Sequence, residues 1–280
     1  MPSTLDTTVE TGFFGLFKGD SGSGKTVASL SFPNPYVFDF DRKMPAISLK
    51  HFPGKEVYWD TFENIFDIGD KVGGLMEDCP YETIIADSVT SLSYNCIKSI
   101  DDVKGQNVLT MLKNFKKSSK GYSTIELRGY DYYNGEDNFL KFFIDQLKLL
   151  WARPGNPKHV IIVAHVLTAE TTDIKTKVVT KTRRIVTAGK NIAAYIPAQF
   201  DECWHFGVER PPIDDPSVRV QHVVCTEAIG DDYAKTAYNL DPIIDFTKAL
   251  LYEKIEAALS HQAPTPQPEK PKAAKRSFLD

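Results

Sequence analysis

A glycine-rich octapeptide near the start of the chain restricts the possible folds more than any other feature. Residues 19–26 read GDSGSGKT, which matches the pattern G-x-x-x-x-G-K-[ST], and the apolar run FFGLF at residues 13–17 precedes it directly. In this strand–loop–helix context the pattern forms a phosphate-binding loop, or P-loop. Its backbone N–H groups point at the anion, and the positive end of the following helix lies behind them. The alternative is a Gly/Ser-rich turn that contains Lys-Thr by chance.

The positions of this loop have separate expected roles in nucleotide binding. Lys25 would reach the β- and γ-phosphates and take part in catalysis, and the Thr26 hydroxyl would occupy one position on Mg²⁺. We therefore expect ATP and Mg²⁺ as cofactors, and no N-K-x-D element for guanine recognition follows the core strands. The residues predicted to bind the nucleotide are Gly19, Asp20, Ser21, Gly22, Ser23, Gly24, Lys25 and Thr26.

Alternating strand and helix patterns predict an α/β fold with a mostly parallel central sheet, helices on both faces and a C-terminal antiparallel hairpin. Residues 1–261 are predicted to form one core, and residues 262–280, rich in Pro, Lys and Ala, a disordered basic tail. Further strands are predicted at 36–41, 56–59, 83–87 and 159–165, helices at 25–32, 62–76, 138–151 and 246–259, and hairpin arms at 201–208 and 218–226.

Composition limits the surroundings in which such a chain would work. No apolar run approaches the length of a membrane span, and residues 1–12 lack the basic start and apolar centre of a signal peptide. The four cysteines form no C-x-x-C pair, which favours a reduced, cytoplasmic compartment, in a host cell if a phage encodes the chain. The net charge is −4, so any binding of nucleic acid must come from local basic segments.

An acidic residue at the end of a later strand is the expected second half of the site. Asp87 follows the apolar residues Ile84-Ile85-Ala86, so its carboxylate would emerge beside Mg²⁺ at the carboxyl edge of the sheet. A helix N-cap is the alternative role for this Asp. Ser88 follows it, where many ATPases of the AAA type have a water-activating Glu. The general base must therefore lie elsewhere.

Two residues at strand ends are candidates for the remaining catalytic roles. Asp41 follows the second strand, and it would face the γ-phosphate as general base if that strand lies beside the Asp87 strand. Capping of a turn before Lys43, together with Asp39, is the alternative. His165 ends a later strand and is predicted to sense the γ-phosphate. A buried structural histidine is the alternative there.

The order GDSGSGKT, VFDFD, TIIADSVTSL and HVIIVAHV resembles the ATPase core of RecA-type recombinases over residues 12–228. The resemblance is greatest to short phage-type RecA-core proteins that act in single-strand annealing and recombination. In that family a Glu usually stands where this chain has Asp41, and a Gln is frequent at the position of His165. Because Asp is one methylene shorter than Glu, we expect slow turnover. The family also implies a homo-oligomer, since RecA-type sites lie between subunits.

RecA-like cores contact DNA through two mobile loops, and this sequence has a basic segment at each position. Cations neutralise phosphates and nearby tyrosines stack on bases, a combination suited to single-stranded DNA. Alternation in IKTKVVTKTRRIV predicts a β-hairpin, and a solvated charged face or edge-strand protection is the alternative for both segments. The predicted contacts are Lys113, Lys116, Lys117, Lys120, Lys175, Lys177, Lys181, Arg183 and Arg184.

Together these features predict a RecA-like P-loop ATPase that acts on single-stranded DNA in recombination or annealing. One rival is a P-loop ATPase with another partner, such as a helicase loader or packaging motor. The other is a nucleotide-gated binding module with negligible hydrolysis. Measuring ATP turnover with and without single-stranded DNA would distinguish these three possibilities.

Overall fold

A single mixed sheet of nine strands organises residues 12–102, 132–172, 179–209, 220–228, 233–247 and 250–260, the parts of the chain that the computed structural model describes. The strands are β1 Phe14–Gly19, β2 Pro35–Asp39, β3 Tyr58–Asp60, β4 Thr83–Asp87, β5 His159–Thr172, β6 Val179–Ile185, β7 Glu202–Glu209, β8 Gln221–Cys225 and β9 Ile243–Asp245. The helices are α1 Lys25–Leu30, α2 Met44–His51, α3 Ile65–Glu77, α4 Val89–Asp102, α5 Tyr132–Trp151, α6 Lys190–Ala198 and α7 Leu251–Ser260.

The strand order brings the predicted site residues to one edge of the sheet. The order is β3-β2-β4-β5-β1-β7-β8-β9, and all neighbours from β3 to β7 are parallel. β5 therefore separates the P-loop strand β1 from the Asp87 strand β4. In register, Gly19 lies opposite His165, and Asp39 lies opposite Asp87. Because parallel strands end at the same edge, these residues meet at the carboxyl edge of the sheet.

Helices cover both faces of the sheet, and the side chains of β1 alternate between the two. Phe14 and Leu16 pack into a core with apolar residues of α3, α4, α5 and α6. Phe13 and Phe17 point to the other face and pack with residues of α1, α2 and α7. This period-two alternation, with both faces buried, explains why the run before the P-loop is apolar throughout.

β5 extends well beyond the predicted strand and forms a hairpin outside the parallel part of the sheet. Residues 166–172 of β5 pair antiparallel with β6, from Val166 opposite Ile185 to Thr172 opposite Val179. The segment 174–186 was predicted to form a hairpin, but its described residues form only one arm, β6, and the other arm is the end of the strand that carries His165. A second antiparallel pair, β7 with β8, confirms the predicted C-terminal hairpin.

Comparison with the sequence predictions confirms the fold class and corrects several element bounds. α5 begins at Tyr132 rather than 138, and α7 begins at Leu251, so Phe246 lies outside it. α2, α4 and α6 have no counterpart among the predicted elements. The predicted tail, residues 262–280, lies outside the described residues, so the division into core and tail stays a prediction. Among the described residues, every helix is too short or too polar to cross a membrane.

Candidate active site

The P-loop connects β1 to α1 through two glycines that no other residue could replace. Gly24 caps α1 with a φ of 92°, and a Cβ there would lie 3.0 Å from the Phe246 ring. A Cβ on Gly19 would lie 2.3 Å from the carbonyl oxygen of Phe206 in β7. Left-handed backbone and close approach of a neighbouring strand are the two circumstances that require glycine. Ser23 closes the loop, since its Oγ donates to the Asp20 carbonyl at 2.8 Å.

Lys25 is folded onto the carbonyl groups of its own loop. Its Nζ donates to the backbone oxygens of Gly19 at 2.9 Å and Asp20 at 2.7 Å, and the residue is 4% exposed. Burial lowers the pKa of Lys25 to about 8, and nearby Asp87 and Asp20 oppose this change only in part. The loop carbonyls compensate the charge of the ammonium only in part. A bound phosphate group would supply a full negative charge. The geometry fits the predicted role of Lys25.

Thr26 and Asp87, which were predicted to hold the metal, are in direct contact. The Thr26 hydroxyl donates to Asp87 Oδ2 at 2.6 Å, and Asp87 is 2% exposed. Burial raises the pKa of Asp87 to about 6, although the Thr26 hydrogen bond and Lys25 act in the opposite direction. A hydroxyl and a carboxylate are oxygen ligands of the kind that Mg²⁺ prefers. Asp87 lies at the end of β4 and contacts Thr26 of α1, which is the arrangement that the predicted metal site requires.

Magnesium in such a site depends on ligands that the protein does not supply. No group of three or more His, Cys, Asp or Glu side chains within the described parts of the chain could hold a metal on its own. Mg²⁺ in nucleotide sites is held by one or two protein oxygens together with phosphates and water. Thr26 and Asp87 therefore fit a cation that is bound together with the nucleotide.

The two aspartates after β2 have different roles. Asp39 is fully buried, and its two carboxylate oxygens accept the backbone N–H groups of Lys43 and Met44 at 3.1 and 2.9 Å. Asp39 therefore caps the start of α2, which is the turn-capping role given in the sequence analysis as the alternative. Asp41 instead points toward β4 and β5, where its carboxylate meets a ring of donors.

Asp41 is held by four side chains. Its Oδ1 accepts hydrogen bonds from Ser88 Oγ at 3.1 Å and from Ser91 Oγ, while its Oδ2 lies 2.9 Å from Lys43 Nζ and 3.5 Å from His165 Nε2. Burial alone would raise the pKa of Asp41, but hydrogen bonds from His165, Ser91 and Lys43 together hold it well below the usual range. A carboxylate this acidic is a weak proton acceptor until one donor moves away. Its role as general base stays a prediction.

His165 is the last residue of β5 that pairs with the P-loop strand β1, and the next residue, Val166, begins the hairpin with β6. The side chain is 25% exposed and faces Asp41, while its backbone N–H donates to Thr90 Oγ1 at 3.0 Å. His165 is thus at the surface of the site rather than packed inside the core. Its position beside the end of the P-loop strand is the one that the sensor hypothesis needs.

The predicted nucleic-acid contacts are described only in part. Lys113, Lys116, Lys117, Lys120, Lys175 and Lys177 lie outside the described residues. The backbone of Lys181 pairs with Glu170 in the hairpin, and Arg183 and Arg184 follow on the same strand with exposed side chains. Arg183 Nη1 lies 3.1 Å from His205 Nε2 on β7, so this arginine reaches back to the sheet beside β1.

Several residues of the site were missing from the sequence prediction. Lys43 and Ser91 bind Asp41, and His222 Nδ1 lies 3.3 Å from the carbonyl oxygen of Ser23 in the P-loop. His222 lies on β8, about two hundred residues from the loop, and no motif links them. The S-x-x-S spacing of Ser88 and Ser91 at the start of α4 was the one available signal, since it places both hydroxyls on one helix turn.

A P-loop between a buried parallel strand and a helix, with a Thr–Asp pair beside it, defines a protein that binds nucleoside triphosphates through a P-loop. A family model described as an AAA domain matches residues 14–227, and the chain belongs to this family. Among solved structures, KaiC-like protein PH0186 from the hyperthermophilic archaeon Pyrococcus horikoshii OT3 is similar at 9% identity and a TM-score of 0.41. The similarity covers 84% of this chain and 90% of that one. No curated protein matches the sequence significantly.

Proposed function

We propose that this protein hydrolyses ATP and couples the nucleotide state to binding of single-stranded DNA, in recombination or strand annealing. The main support for the proposal is the path of β5, which pairs with both the P-loop strand and the basic strand β6. One continuous strand passes the P-loop at His165 and then forms a hairpin with the basic strand β6. A change at the phosphate end of the site therefore has a short covalent path to the predicted DNA contacts.

The phosphate side of the site supports the ATP-binding part of this proposal. Lys25 and the backbone N–H groups of the P-loop would hold the phosphates, and Thr26 and Asp87 would hold Mg²⁺. A magnesium ion held there would neutralise charge on the phosphates, which favours attack on the terminal one. Asp41 would orient the attacking water once a donor such as Lys43, which now pairs with it, moves to the phosphates.

The coupling side of the proposal depends on the contact between His165 and Asp41. A terminal phosphate would attract the imidazole or the Lys43 ammonium, and either movement releases one bond on Asp41. Because Val166, the next residue of β5, is the first to pair with β6, a shift of His165 is transmitted to the hairpin. Differential contacts of this kind are what linkage between two sites requires.

The DNA side of the proposal is tested by removing the basic side chains of β6. Replacing Lys181, Arg183 and Arg184 with Ala should weaken binding of an oligo-dT strand in fluorescence anisotropy. If all three contact phosphates, the log–log salt slope should fall by roughly 2, at about 0.7 for each contact on a single strand. Basal ATPase should remain, and stimulation by DNA should fall. A control with Lys50, Arg153 and Lys254 replaced carries the same charge change on other elements.

The outcomes separate the proposed function from its rivals. An unchanged salt slope in the β6 variant would show that this strand is a solvated edge. ATP turnover that does not respond to DNA in the parent protein would favour an ATPase with another partner. The family resemblance also leads us to propose a homo-oligomer, which sedimentation with and without ATP and Mg²⁺ would test.

A further inference from the structure

A cluster of basic side chains, Lys18, Arg183 and His205, lies beside the P-loop on the face of the sheet opposite α1. Lys18 precedes the first glycine of the loop, and its register partner on β7 is His205. By strand alternation both side chains point to the face that Leu16 and Cys203 share with α6. Arg183 of the hairpin strand β6 reaches the same place through its 3.1 Å contact with His205.

Lys18 is the unusual member of this cluster. It is 4% exposed, and its Nζ lies 5.7 Å from the centroid of the Tyr233 ring. Among the described residues, its ammonium has no carboxylate partner and donates no hydrogen bond. Burial, which is the largest influence, lowers its pKa. A largely desolvated charge of this kind is stabilised when an anion binds beside it.

Arg183 adds positive charge to the surroundings of Lys18 and lowers its pKa further, although Cys203 acts in the opposite direction. His205 is 5% exposed, and burial followed by the charges of Lys18 and Arg183 lowers its pKa to about 4. The ring is therefore neutral at pH 7, and its Nε2 accepts a hydrogen bond from Arg183. Burial also raises the pKa of the neighbouring Cys203 thiol to about 11, so no thiolate balances the lysine. The two cations Lys18 and Arg183 thus lie beside an uncharged histidine and an uncharged thiol.

We propose that Lys18, Arg183 and His205 form a second phosphate-binding site, separate from the P-loop. A lysine ammonium and an arginine fork are the side chains that bind phosphate oxygens best. The site lies between the P-loop strand and the basic hairpin, so the phosphate comes from a nucleic-acid backbone or from a nucleotide. The inference goes beyond the proposed function, and only its nucleic-acid source depends on that function.

Inorganic phosphate tests the site without any assumption about its source. The P-loop also binds phosphate, so the comparison is made in a Lys25→Ala protein, titrated with phosphate against chloride at equal ionic strength. Phosphate should raise the melting temperature of this protein, because a ligand that binds only the folded state stabilises it. Adding Lys18→Met or Arg183→Ala should abolish the rise, through a loss of about tenfold or more in affinity. Lys254→Ala is the control, because this exposed lysine lies on α7, which packs against the other face of the sheet.

Lys18→Met also separates a binding role from a structural one. Methionine keeps the length of the side chain and removes the buried charge, so without phosphate the variant should melt at a higher temperature than its parent. A structural lysine would give the opposite result. If Lys18→Met does not fold, Arg183→Ala still tests the site, because the Arg183 side chain is exposed. Equal responses to phosphate in the Lys25→Ala protein and in all its variants would overturn the proposal.

Two binding assays on Lys18→Met with Lys25 intact identify the source of the phosphate. Lower affinity for an oligo-dT strand with unchanged affinity for ATP assigns the site to a nucleic-acid backbone. Lower affinity for ATP with unchanged DNA binding assigns it to a nucleotide. If the Lys25→Ala protein shows the phosphate response while the parent protein binds no DNA, the proposed partner is refuted and the second site remains established.

Discussion

Replacing Lys25 with Met should stabilise the nucleotide-free protein while it removes nucleotide binding. Lys25 is 4% exposed, and burial lowers its pKa from the ordinary 10.5 to about 8. At about 1.4 kcal/mol for each pKa unit, the folded state disfavours the charged lysine by about 3 kcal/mol at pH 7. Methionine fills nearly the same volume without the charge, so most of this free energy should return to the folded state.

The hydrogen bonds of the ammonium reduce the expected gain. Lys25 Nζ satisfies the carbonyl oxygens of Gly19 and Asp20, and the variant leaves both without this donor. The loss costs about 1 kcal/mol, since the loop surface is open enough for water to replace part of the contact. The free energy of unfolding should therefore rise by about 2 kcal/mol.

Urea unfolding of the two nucleotide-free proteins at pH 7 measures this difference, and equilibrium binding of ATP measures the functional loss. A Met variant less stable than the parent would refute the reasoning, because it would mean that the loop carbonyls need the ammonium to hold their conformation. Unchanged ATP affinity would refute the assignment of the P-loop itself. Lys25→Arg provides a control that retains the charge.

Three further variants test separate parts of the site and fold. Asp41→Asn should retain ATP binding and lose hydrolysis in a turnover assay, because the amide cannot accept a proton; turnover at the parent rate would place the base elsewhere. Asp87→Asn should weaken Mg²⁺-dependent nucleotide binding in calorimetry, whereas binding without Mg²⁺ should change little. His159, which accepts the Phe13 N–H through Nδ1, has its pKa lowered by burial from 6.5 to about 4. The folded state therefore binds fewer protons than the unfolded state, and about 3 kcal/mol of stability is lost as the pH falls from 6.5 to 4. His159→Gln should remove that loss in acid unfolding curves, and parallel curves for the two proteins would contradict it.

The parts of the site that a local motif defines could be predicted from the sequence. The loop, its strand and its helix follow from GDSGSGKT after an apolar run, because phosphate binding requires that local geometry. Asp87 was predicted for a similar reason, since a carboxylate after a buried parallel strand lies at the edge where ligands bind. Both inferences depend on neighbours in the chain, and the structure places Asp87 against Thr26 as expected.

The parts that depend on distant contacts could not be predicted in the same way. α4 is rich in Ser, Thr and Asn, which favour helix weakly, and it forms because Val89, Leu92 and Cys96 are buried against the sheet. Asp39 and Asp41 are equivalent in sequence terms, and only the start of α2 assigns the first to capping. His222 reaches the loop through the order β1-β7-β8, which no local pattern specifies.

Lys18, Lys25, Lys43 and Lys55 differ in the groups that their ammonium ions contact. Lys43 pairs with Asp41, and that hydrogen bond raises its pKa, so its charge is already compensated. Lys55 has its pKa lowered by burial, yet its Nζ donates to carbonyl oxygens at the end of α1, which is a structural helix-capping role. Lys25 donates to carbonyl groups that a nucleotide phosphate would replace. A lowered pKa therefore occurs in both structural and ligand-binding lysines. The two kinds are distinguished by the group that accepts the hydrogen bonds of the ammonium. Lys18 alone among these four has neither a carboxylate nor a carbonyl acceptor among the described residues, so an anion bound there would stabilise its charge.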